Sequence, residues 1–437
     1  MSDSTSLPEG VPDVLVVGAG VIGLASAYYI KRAAPSARVL LIDKAPAAGQ
    51  GDTAKTAAAV RDMFSSEISR TLAQTTICYY EDLQRMHDVD LGLEFIGYLW
   101  LMLEKQFQQF GAMQENMRRD GLQFRVWSAE ELREKIPGFR PSLNHSDPET
   151  QTMNLRDITG AVQGLRCGII AAERVVKFYE EEFCRLGGVP VYSLPVEKLL
   201  VEPRSRLGID GEPFEWQQKI ITGVKTPRGE IRARKIVIAP GAWGRELLDP
   251  IGLDSHMNPV RKMIFVLKGQ KAESLLATRG FNEEGVLPVT VLPVCGLYLR
   301  PNPREGSFYS AMSEGLGRSF ALTEDQSAEE SFYIYNISPV LSNYFPVLKG
   351  VRPSSMWAGR QDWSCTDKNP YIFDKGNAII VLGTSGNGIM KADAVGRVVA
   401  ALSRGEEVAE LHGGRKFEVS KLGVADRVIE HENFALE

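Results

Sequence analysis

The chain has 437 residues, with 50 basic and 55 acidic side chains and a formal net charge of −5. A chain of this length can form two or three domains with a large core, and its near-balanced charge excludes a general attraction to nucleic acid or anionic membranes. No apolar run reaches the roughly 18 residues that a membrane-spanning helix needs. The N-terminal stretch "MSDSTSLPEGVPD" is polar and unlike a signal peptide, so we expect a soluble, cytoplasmic protein.

Metal-binding and disulfide patterns do not occur in the sequence. The cysteines have no CxxC spacing, and the histidines form neither an HExxH motif nor a cluster. We therefore expect no metal and reduced thiols. The residues concerned are Cys78, Cys167, Cys184, Cys295, Cys365, His87, His145, His256, His412 and His431.

The first predicted element is a nucleotide-binding strand, turn and helix in "VVGAGVIGLASAYYI". Gly18 permits the tight turn, Gly20 lets a pyrophosphate approach the backbone, and Gly23 permits close helix packing. A second apolar strand ends in Asp43, 20 residues after Gly23, where a carboxylate can bind ribose hydroxyls. The pattern predicts a bound dinucleotide, either FAD or NAD.

The middle of the chain alternates helices and strands before becoming rich in strands. Apolar spacing and turn residues predict helices over 65–86, 105–121, 128–138 and 171–188, and strands over 93–103 and 233–243. Successive strands over 259–313 predict an antiparallel sheet, and Thr323 with Gln326 predicts a capping box for a helix over 327–345. The last segment repeats a strand, a glycine-rich turn and a helix over 377–405.

The order of these elements predicts a discontinuous nucleotide domain interrupted by a substrate domain. We assign 1–90, 150–250 and 345–437 to FAD binding, and 91–149 and 251–344 to substrate binding. The predicted fold class is α/β, with a Rossmann-like FAD-binding domain and an inserted antiparallel β-sheet domain of α+β type.

Three further segments give the chain its resemblance to a known family. They are "IVIAPGAW" (236–243), "MWAGRQDWSCTDKNPYI" (356–372) and "VLGTSGNGIMKADAVG" (381–396). Together with the first glycine loop, they resemble the D-amino-acid oxidase superfamily of FAD-dependent oxidoreductases over nearly the whole chain. The second segment is similar to sarcosine oxidase β subunits and to dimethylglycine and sarcosine dehydrogenases.

The second glycine-rich turn favours FAD over NAD. It opens a helix whose positive end could face the flavin ring, where reduction places negative charge. The resemblance implies that the turn lies beside the isoalloxazine. The predicted cofactor-binding residues are Gly18, Gly20, Val21, Ile22, Gly23, Asp43, Lys44, Ala59, Val60, Arg61, Val196, Gly241, Trp243, Gly386, Asn387, Gly388, Ile389 and Met390.

A substrate carboxylate needs a cationic anchor, and four arginines are candidates. Arg61 follows "GDTAKTAAAV", which resembles the stretch near the flavin in sarcosine oxidase β subunits, although Lys55 and Thr56 replace their usual arginine and asparagine. A forked guanidinium is the natural partner of a carboxylate in a dry pocket. Arg300, Arg360 and Arg156 are equal alternatives on sequence alone.

Departures from the family pattern affect the expected chemistry. Some monomeric sarcosine oxidases attach their flavin to a cysteine in the region of Arg360 and Gln361, whereas Cys365 is offset, so we expect non-covalent FAD. Met390 occupies the place of a lysine that contacts substrate in those enzymes, and Lys391 is expected to point elsewhere. Tyr309 aligns with a lysine linked to the oxygen reaction, which favours a dehydrogenase over an oxidase.

Three functions remain open from the sequence. No histidine lies in a flavin-proximal motif, which favours oxidation of a C–N bond in an amino acid or N-alkyl amino acid, because alcohol oxidation needs a base. The first alternative is a 2-hydroxy acid dehydrogenase. The second is a non-catalytic flavin-bearing assembly protein, as in relatives that resemble a mitochondrial assembly factor. The expected ligand is a carboxylate-bearing amine, and the electron acceptor and the oligomer, homomeric or heteromeric, stay open.

Overall fold

The computed structural model describes residues 10–313, 322–323, 326–425, 427–430 and 432. The strands in chain order are β1 Val14–Val17, β2 Val39–Ile42, β3 Ala59–Val60, β4 Tyr98–Met102, β5 Phe124–Ser128, β6 Gly160–Gly164, β7 Gly168–Ile169, β8 Val189–Val191, β9 Lys198–Pro203, β10 Lys219–Thr226, β11 Gly229–Arg232, β12 Lys235–Ile238, β13 Met257–Lys268, β14 Val289–Val291, β15 Tyr298–Asn302, β16 Ser307–Ala311, β17 Pro353–Ser364, β18 Tyr371–Lys375, β19 Ala378–Leu382, β20 Val408–Glu410 and β21 Lys416–Glu418.

The helices join these strands or cover the sheets. In chain order they are α1 Val21–Ala33, α2 Glu67–Met86, α3 Glu104–Arg119, α4 Ala129–Lys135, α5 Pro148–Thr152, α6 Ala172–Arg185, α7 Gly244–Leu248, α8 Gln270–Leu276, α9 Glu330–Phe332, α10 Ser338–Tyr344 and α11 Ala392–Ser403. Within the described ranges, no helix combines the length and the apolar character that crossing a membrane requires.

A six-stranded sheet combines strands from the N-terminal and C-terminal parts of the chain. Its order is β18-β19-β12-β1-β2-β8, and every pairing is parallel except that of β18 with β19. The central strand β1 is buried along its whole length, as expected for a parallel strand covered on both faces. Helix α11 packs closely on α1, since a Cβ atom at Gly396 would lie 2.8 Å from the Ala25 backbone.

A second, eight-stranded sheet has the order β17-β13-β16-β15-β14-β4-β6-β5. The strand-rich prediction for 259–313 is confirmed by β13 to β16, although β14 pairs in parallel with β4 and the other pairings are antiparallel. One face of this sheet carries an apolar core that includes Leu99, Leu299 and Phe308. The predicted domain boundaries stay a prediction, and β6 and β17 fall inside predicted FAD-binding segments while pairing in this sheet.

Most predicted helices are confirmed with small shifts of their ends. Ser66 caps α2 and Ser128 caps α4 through side-chain hydrogen bonds. The predicted capping box at Thr323 and Gln326 is wrong, because the Gln326 side chain donates to the Thr323 hydroxyl and the helix begins at Glu330. A π-helical turn follows at Tyr333–Ile337, so the predicted continuous helix is divided into short pieces.

Candidate functional site

A cavity of about 1060 Å³ lies between the two large sheets. Its wall includes residues at the carboxyl ends of the parallel strands, where open α/β sheets bind ligands; these are Val17, Ile42, Ala239 and Val381. The opposite wall comes from the second sheet. This volume is slightly above the range of about 300–1,000 Å³ that is typical of small-molecule and cofactor sites.

The first glycine turn has the shape that a pyrophosphate requires. Gly18 has φ +103°, and a Cβ atom there would lie 2.3 Å from the Ala239 carbonyl oxygen. At Gly23 a Cβ atom would lie 1.8 Å from the Gly18 carbonyl oxygen, which explains the close contact between turn and helix. Gly20 precedes α1 and has no side chain over the helix end, where Val21 N donates to Thr53 Oγ1 at 3.2 Å. An anion would therefore approach the helix end beside Thr53.

Asp43 is fixed at the end of β2 by backbone amides. Its carboxylate accepts hydrogen bonds from Ala19 N at 2.6 Å and from Ala45 N at 2.7 Å. Beside it, the Lys44 ammonium group lies 3.2 Å from the centre of the Trp243 ring. The carboxylate therefore lies next to the glycine turn, where the dinucleotide motif places the adenosine ribose.

The second glycine turn is held in place by a buried carboxylate, Asp362. Its oxygens accept hydrogen bonds from Gly383 N at 2.9 Å, Thr384 N at 3.1 Å and Thr384 Oγ1 at 2.7 Å. Burial raises the pKa of Asp362 above its ordinary value. At Gly386, which has φ +75°, a Cβ atom would lie 2.6 Å from Gln361, so the turn requires glycine.

The predicted cofactor residues mostly converge on this one cavity. Gly23 and Val60 are the exceptions: Gly23 packs behind the turn, and Val60 is fully buried on β3. The predicted residues on the cavity wall are Gly18, Gly20, Val21, Ile22, Asp43, Lys44, Ala59, Arg61, Val196, Gly241, Trp243, Gly386, Asn387, Gly388, Ile389 and Met390.

The four arginines that are candidate carboxylate anchors lie in different places in the structure. Arg156 is exposed, and Arg300 lines a different cavity. Arg360 lines the main cavity, but its side chain is 3% exposed and forms an ion pair with Asp52 at 3.0 Å. Arg61 remains as a cavity-lining guanidinium for which no carboxylate of the described residues is an ion-pair partner.

Aromatic rings and one backbone carbonyl hold Arg61. Its guanidinium lies 4.1 Å from the centre of the Phe64 ring and 6.0 Å from that of Trp100. Its Nη1 donates to the Met63 carbonyl oxygen at 3.1 Å. Tyr98 lines the cavity beside Trp100, with ring centres 5.1 Å apart. The arginine thus faces the cavity from a largely aromatic wall.

Of two lysines near the cavity, Lys262 was not recognised from the sequence as a site residue, whereas the expectation that Lys391 points elsewhere is confirmed. Lys262 on β13 lines the cavity, and its ammonium group lies 3.4 Å from Ser313 Oγ; burial lowers the pKa of Lys262 to about 8. Lys391 points away from the cavity and donates to Ser69 Oγ at 2.9 Å. Burial and then the nearby Arg61 charge lower the pKa of Lys391 to about 7.

Two glutamates near the C-terminus lie at or beside the cavity wall. The Glu432 carboxylate accepts hydrogen bonds from Ser65 N and Ser65 Oγ at 3.0 Å and from Ser66 N at 3.2 Å. Glu430 accepts from Ser66 Oγ at 2.8 Å and Ile68 N at 3.0 Å. These acids satisfy the amides at the start of α2, a contact that no local pattern predicts.

Comparisons with known proteins agree with this geometry. The family model described as FAD dependent oxidoreductase matches residues 13–402. The chain is 26% identical to glycine oxidase of Pseudomonas aeruginosa, over 90% of this chain and 95% of that protein. It is 22% identical to FAD-dependent oxidoreductase domain-containing protein 1 of Xenopus laevis, over 91% and 80% respectively.

Solved structures show the same fold. L-proline dehydrogenase from P. horikoshii superimposes with a TM-score of 0.71 at 20% identity, covering 92% of this chain and 95% of that one. The chain belongs to the family of FAD dependent oxidoreductases, and its cofactor is FAD.

Proposed function

We propose that this protein oxidises the C–N bond of an amino acid or N-alkyl amino acid. The observation that carries the proposal is Arg61, a cavity-lining guanidinium with no carboxylate partner among the described residues. When bound, FAD supplies the acceptor for a hydride from the carbon next to nitrogen. The resulting imine then hydrolyses in water to a carbonyl compound and an amine.

Arg61 is suited to hold the substrate carboxylate. A guanidinium stays charged at every relevant pH and offers paired donors that match a carboxylate. Its stacking on Phe64 at 4.1 Å limits its orientation, so less freedom is lost when a ligand binds. A carboxylate paired with Arg61 would place the adjoining amine-bearing carbon in the cavity.

The composition of the cavity wall favours an amine over an alcohol. Among the described residues, no histidine lines the cavity. A hydroxyl proton needs a base as hydride leaves, for which Lys262, with its pKa lowered to about 8, is the candidate on the cavity wall. A neutral amine needs no such base, because it supplies its own lone pair. Burial raises the pKa of Tyr98 and Tyr298 above the ordinary value, so both phenols stay neutral and can donate hydrogen bonds.

The electron acceptor and the attachment of the flavin are also proposals. No cysteine lines the cavity among the described residues, which supports non-covalent FAD. The dehydrogenase remains a proposal that rests on the sequence position of Tyr309, which lines the cavity of Arg300, whereas Lys262 lines the main cavity. Release of free FAD on denaturation tests the first proposal, and comparing reoxidation of reduced protein by air and by a quinone dye tests the second. The cytoplasmic location stays a prediction.

The central experiment is an anaerobic titration of the holoprotein followed by flavin absorbance near 450 nm. The panel contains glycine, N-methylglycine, N,N-dimethylglycine, L- and D-proline, other amino acids and the matching 2-hydroxy acids. Bleaching by an amine but not by its hydroxy analogue is the expected result. Bleaching by hydroxy acids alone would support the alternative substrate class, and no bleaching by any member would contradict turnover and favour a non-catalytic role.

A further inference from the structure

A second cavity of about 720 Å³ lies behind the loop that follows the first glycine turn. It shares Gln50, Thr53, Lys55, Thr56 and Ala58 with the main cavity. The proposed reaction leaves this space without a use. Its volume falls within the range of small-molecule sites, so its polar groups indicate what it could bind.

Arg300 is the exceptional group in this cavity. The residue is 6% exposed, and no hydrogen bond or ion pair to its guanidinium occurs within the described part of the chain. Its Nε is buried without a partner. The guanidinium makes a cation–π contact with the Tyr309 ring, whose centre lies 5.1 Å from the guanidinium carbon.

An unpaired buried arginine is costly. Buried charges in folded proteins are normally paired and hydrogen bonded, because desolvation costs several kcal/mol per ion. Burial lowers the pKa of Arg300 from its ordinary value, but arginine remains protonated in proteins. The nearby acid Glu94 is paired with Arg304 at 3.2 Å instead. No carboxylate among the described residues pairs with Arg300, so a bound anion can supply the counter-charge.

A helix end provides an independent second feature of the same cavity. Ala171, Ala172 and Glu173 line it, and Ala171 caps the 14-residue helix α6 without a side-chain hydrogen bond. The first amides of a helix and the positive end of its dipole favour an anion. Arg300 and the start of α6 thus supply two anion-binding groups to one space.

The rest of the wall is mixed. Ile169, Ile170, Val176 and Trp357 offer a contact for carbon-rich groups. The wall also carries acidic and basic side chains besides Arg300; these are Glu94, Glu173, Glu180, Glu305, Lys55, Lys177 and Arg304. A ligand that matched both parts would combine a charged oxyanion with an apolar body.

We propose that the second cavity is a binding site for a small organic oxyanion. Its carboxylate or phosphate group pairs with the Arg300 guanidinium and lies at the start of α6, while its apolar part contacts Ile169, Ile170 and Trp357. The site is separate from the one where Arg61 binds the substrate. Because the two cavities share the loop that carries Asp52 and Lys55, a ligand here also contacts a wall of the flavin cavity.

Calorimetric titration of the FAD-loaded protein tests the site. The probes are phenyl phosphate and phenylacetate, which distinguish phosphate from carboxylate, with phenol as the neutral control. At least one anion should bind, and phenol should not. In Arg300→Gln the dissociation constant should rise at least about tenfold, since a charge-assisted bond of this kind contributes on that scale.

Matched variants locate the binding. Arg304→Gln removes an exposed arginine of the same cavity that is paired with Glu94, and it should leave the constant within about twofold. Arg61→Met should also leave it unchanged. Loss of binding in Arg61→Met with retention in Arg300→Gln would place the anion in the substrate cavity and overturn the proposal, as would failure of both anions to bind wild type at 20 mM.

A backbone variant covers the case in which Arg300→Gln does not fold. Ala172 is the first residue of α6, a position where proline is tolerated, and the preceding Ala171 has the extended conformation that proline requires (φ −93°, ψ 104°). Ala172→Pro removes one amide donor while keeping the helix. Anion binding should weaken in this variant, and unchanged binding would contradict the role of the helix end.

Discussion

Lys391 donates a hydrogen bond to Ser69 Oγ over 2.9 Å, and neither side chain is appreciably exposed. Ser69 in turn donates to Asn369 Oδ1 at 2.5 Å and lines the main cavity. The contact joins the segment just before α11 to α2. Lys391 therefore lies behind the wall of the main cavity and does not line it.

The first prediction concerns the pH dependence of stability. The pKa of Lys391 falls from about 10.5 to about 7 on folding. Below pH 7 the folded and the unfolded protein both hold the proton, and the full cost of burying the charge is present. Between about pH 7 and 10.5 the unfolded chain keeps a proton that the folded protein has lost. The free energy of unfolding therefore increases with pH over this range. Lys391→Met should remove this gain and stabilise the protein at pH 6 by about 1–3 kcal/mol.

Urea denaturation at pH 6, 8 and 9.5, at fixed FAD concentration, measures this difference. Lys105→Met is the control, because Lys105 is exposed on α3. The advantage of Lys391→Met should shrink as pH rises, whereas the control should follow wild type. Parallel curves for wild type and Lys391→Met would show that the ammonium group is not the source.

The second prediction separates folding from cofactor binding in the first glycine turn. A Cβ atom at Gly23 would lie 1.8 Å from a backbone carbonyl oxygen, whereas at Gly20 its nearest neighbour is Thr53 Oγ1 at 3.4 Å. Gly23→Ala should therefore lower stability severely. Gly20→Ala should fold but obstruct the pyrophosphate, weakening FAD binding by at least about tenfold.

FAD content after purification and circular dichroism distinguish the two effects. Gly111→Ala is the control, since a Cβ atom there meets nothing within 4 Å and alanine favours the helix. If Gly20→Ala retained FAD like wild type, the turn would not be the pyrophosphate site.

The sequence predicted the parts of the site that depend on local chain geometry. Gly18, Gly20 and Asp43 follow a motif in which strand, turn and acid lie within 30 residues. The sequence could not decide whether Arg61 or Arg300 is the carboxylate anchor, because the two arginines line cavities on opposite sides of a shared loop. Lys262 lines the cavity only because β13 pairs between β17 and β16, a topology that strand patterns do not specify.

The same limit applies to the helix cap formed across the chain. Glu432 lies 367 residues from Ser65 and accepts hydrogen bonds from its amide and its hydroxyl group. The sequence predicted the start of α2 near Ser65 from local patterns, and Ser66 does cap it. The additional carboxylates come from a segment with no motif of its own.

The third prediction tests that long-range cap. Carboxylates at a helix start interact favourably with its dipole and free amides, so Glu432→Gln should lower the free energy of unfolding by about 0.5–2 kcal/mol. Thermal or urea denaturation measures the change. Glu410→Gln, which removes an exposed carboxylate paired with Lys416, should change stability by less than about 0.5 kcal/mol. Equal effects of the two variants would indicate a general charge effect.

The last prediction concerns Arg61 as the substrate anchor. If Arg61 binds the substrate carboxylate, Arg61→Met should raise the half-saturating concentration for anaerobic flavin bleaching by about 10- to 100-fold, the loss expected for a charge-assisted pair in a dry site. Arg61→Lys keeps the charge but not the forked geometry, so its half-saturating concentration should lie between those of wild type and Arg61→Met. The FAD content of both variants is measured alongside, because Arg61 is also a predicted cofactor-binding residue, and a loss of FAD would assign Arg61 to the cofactor instead.

Two comparisons decide whether the effect is specific to the carboxylate. Arg156→Met, at an exposed position, should leave the half-saturating concentration unchanged. When the substrate is replaced by its carboxamide, the half-saturating concentration for wild type should rise as much as it rises for Arg61→Met with the acid. The two increases should not add when the variant is tested with the carboxamide, because each change removes the same ion pair. Additive losses would mean that another group binds the carboxylate, and Arg360, despite its ion pair with Asp52, would then be the next residue to substitute.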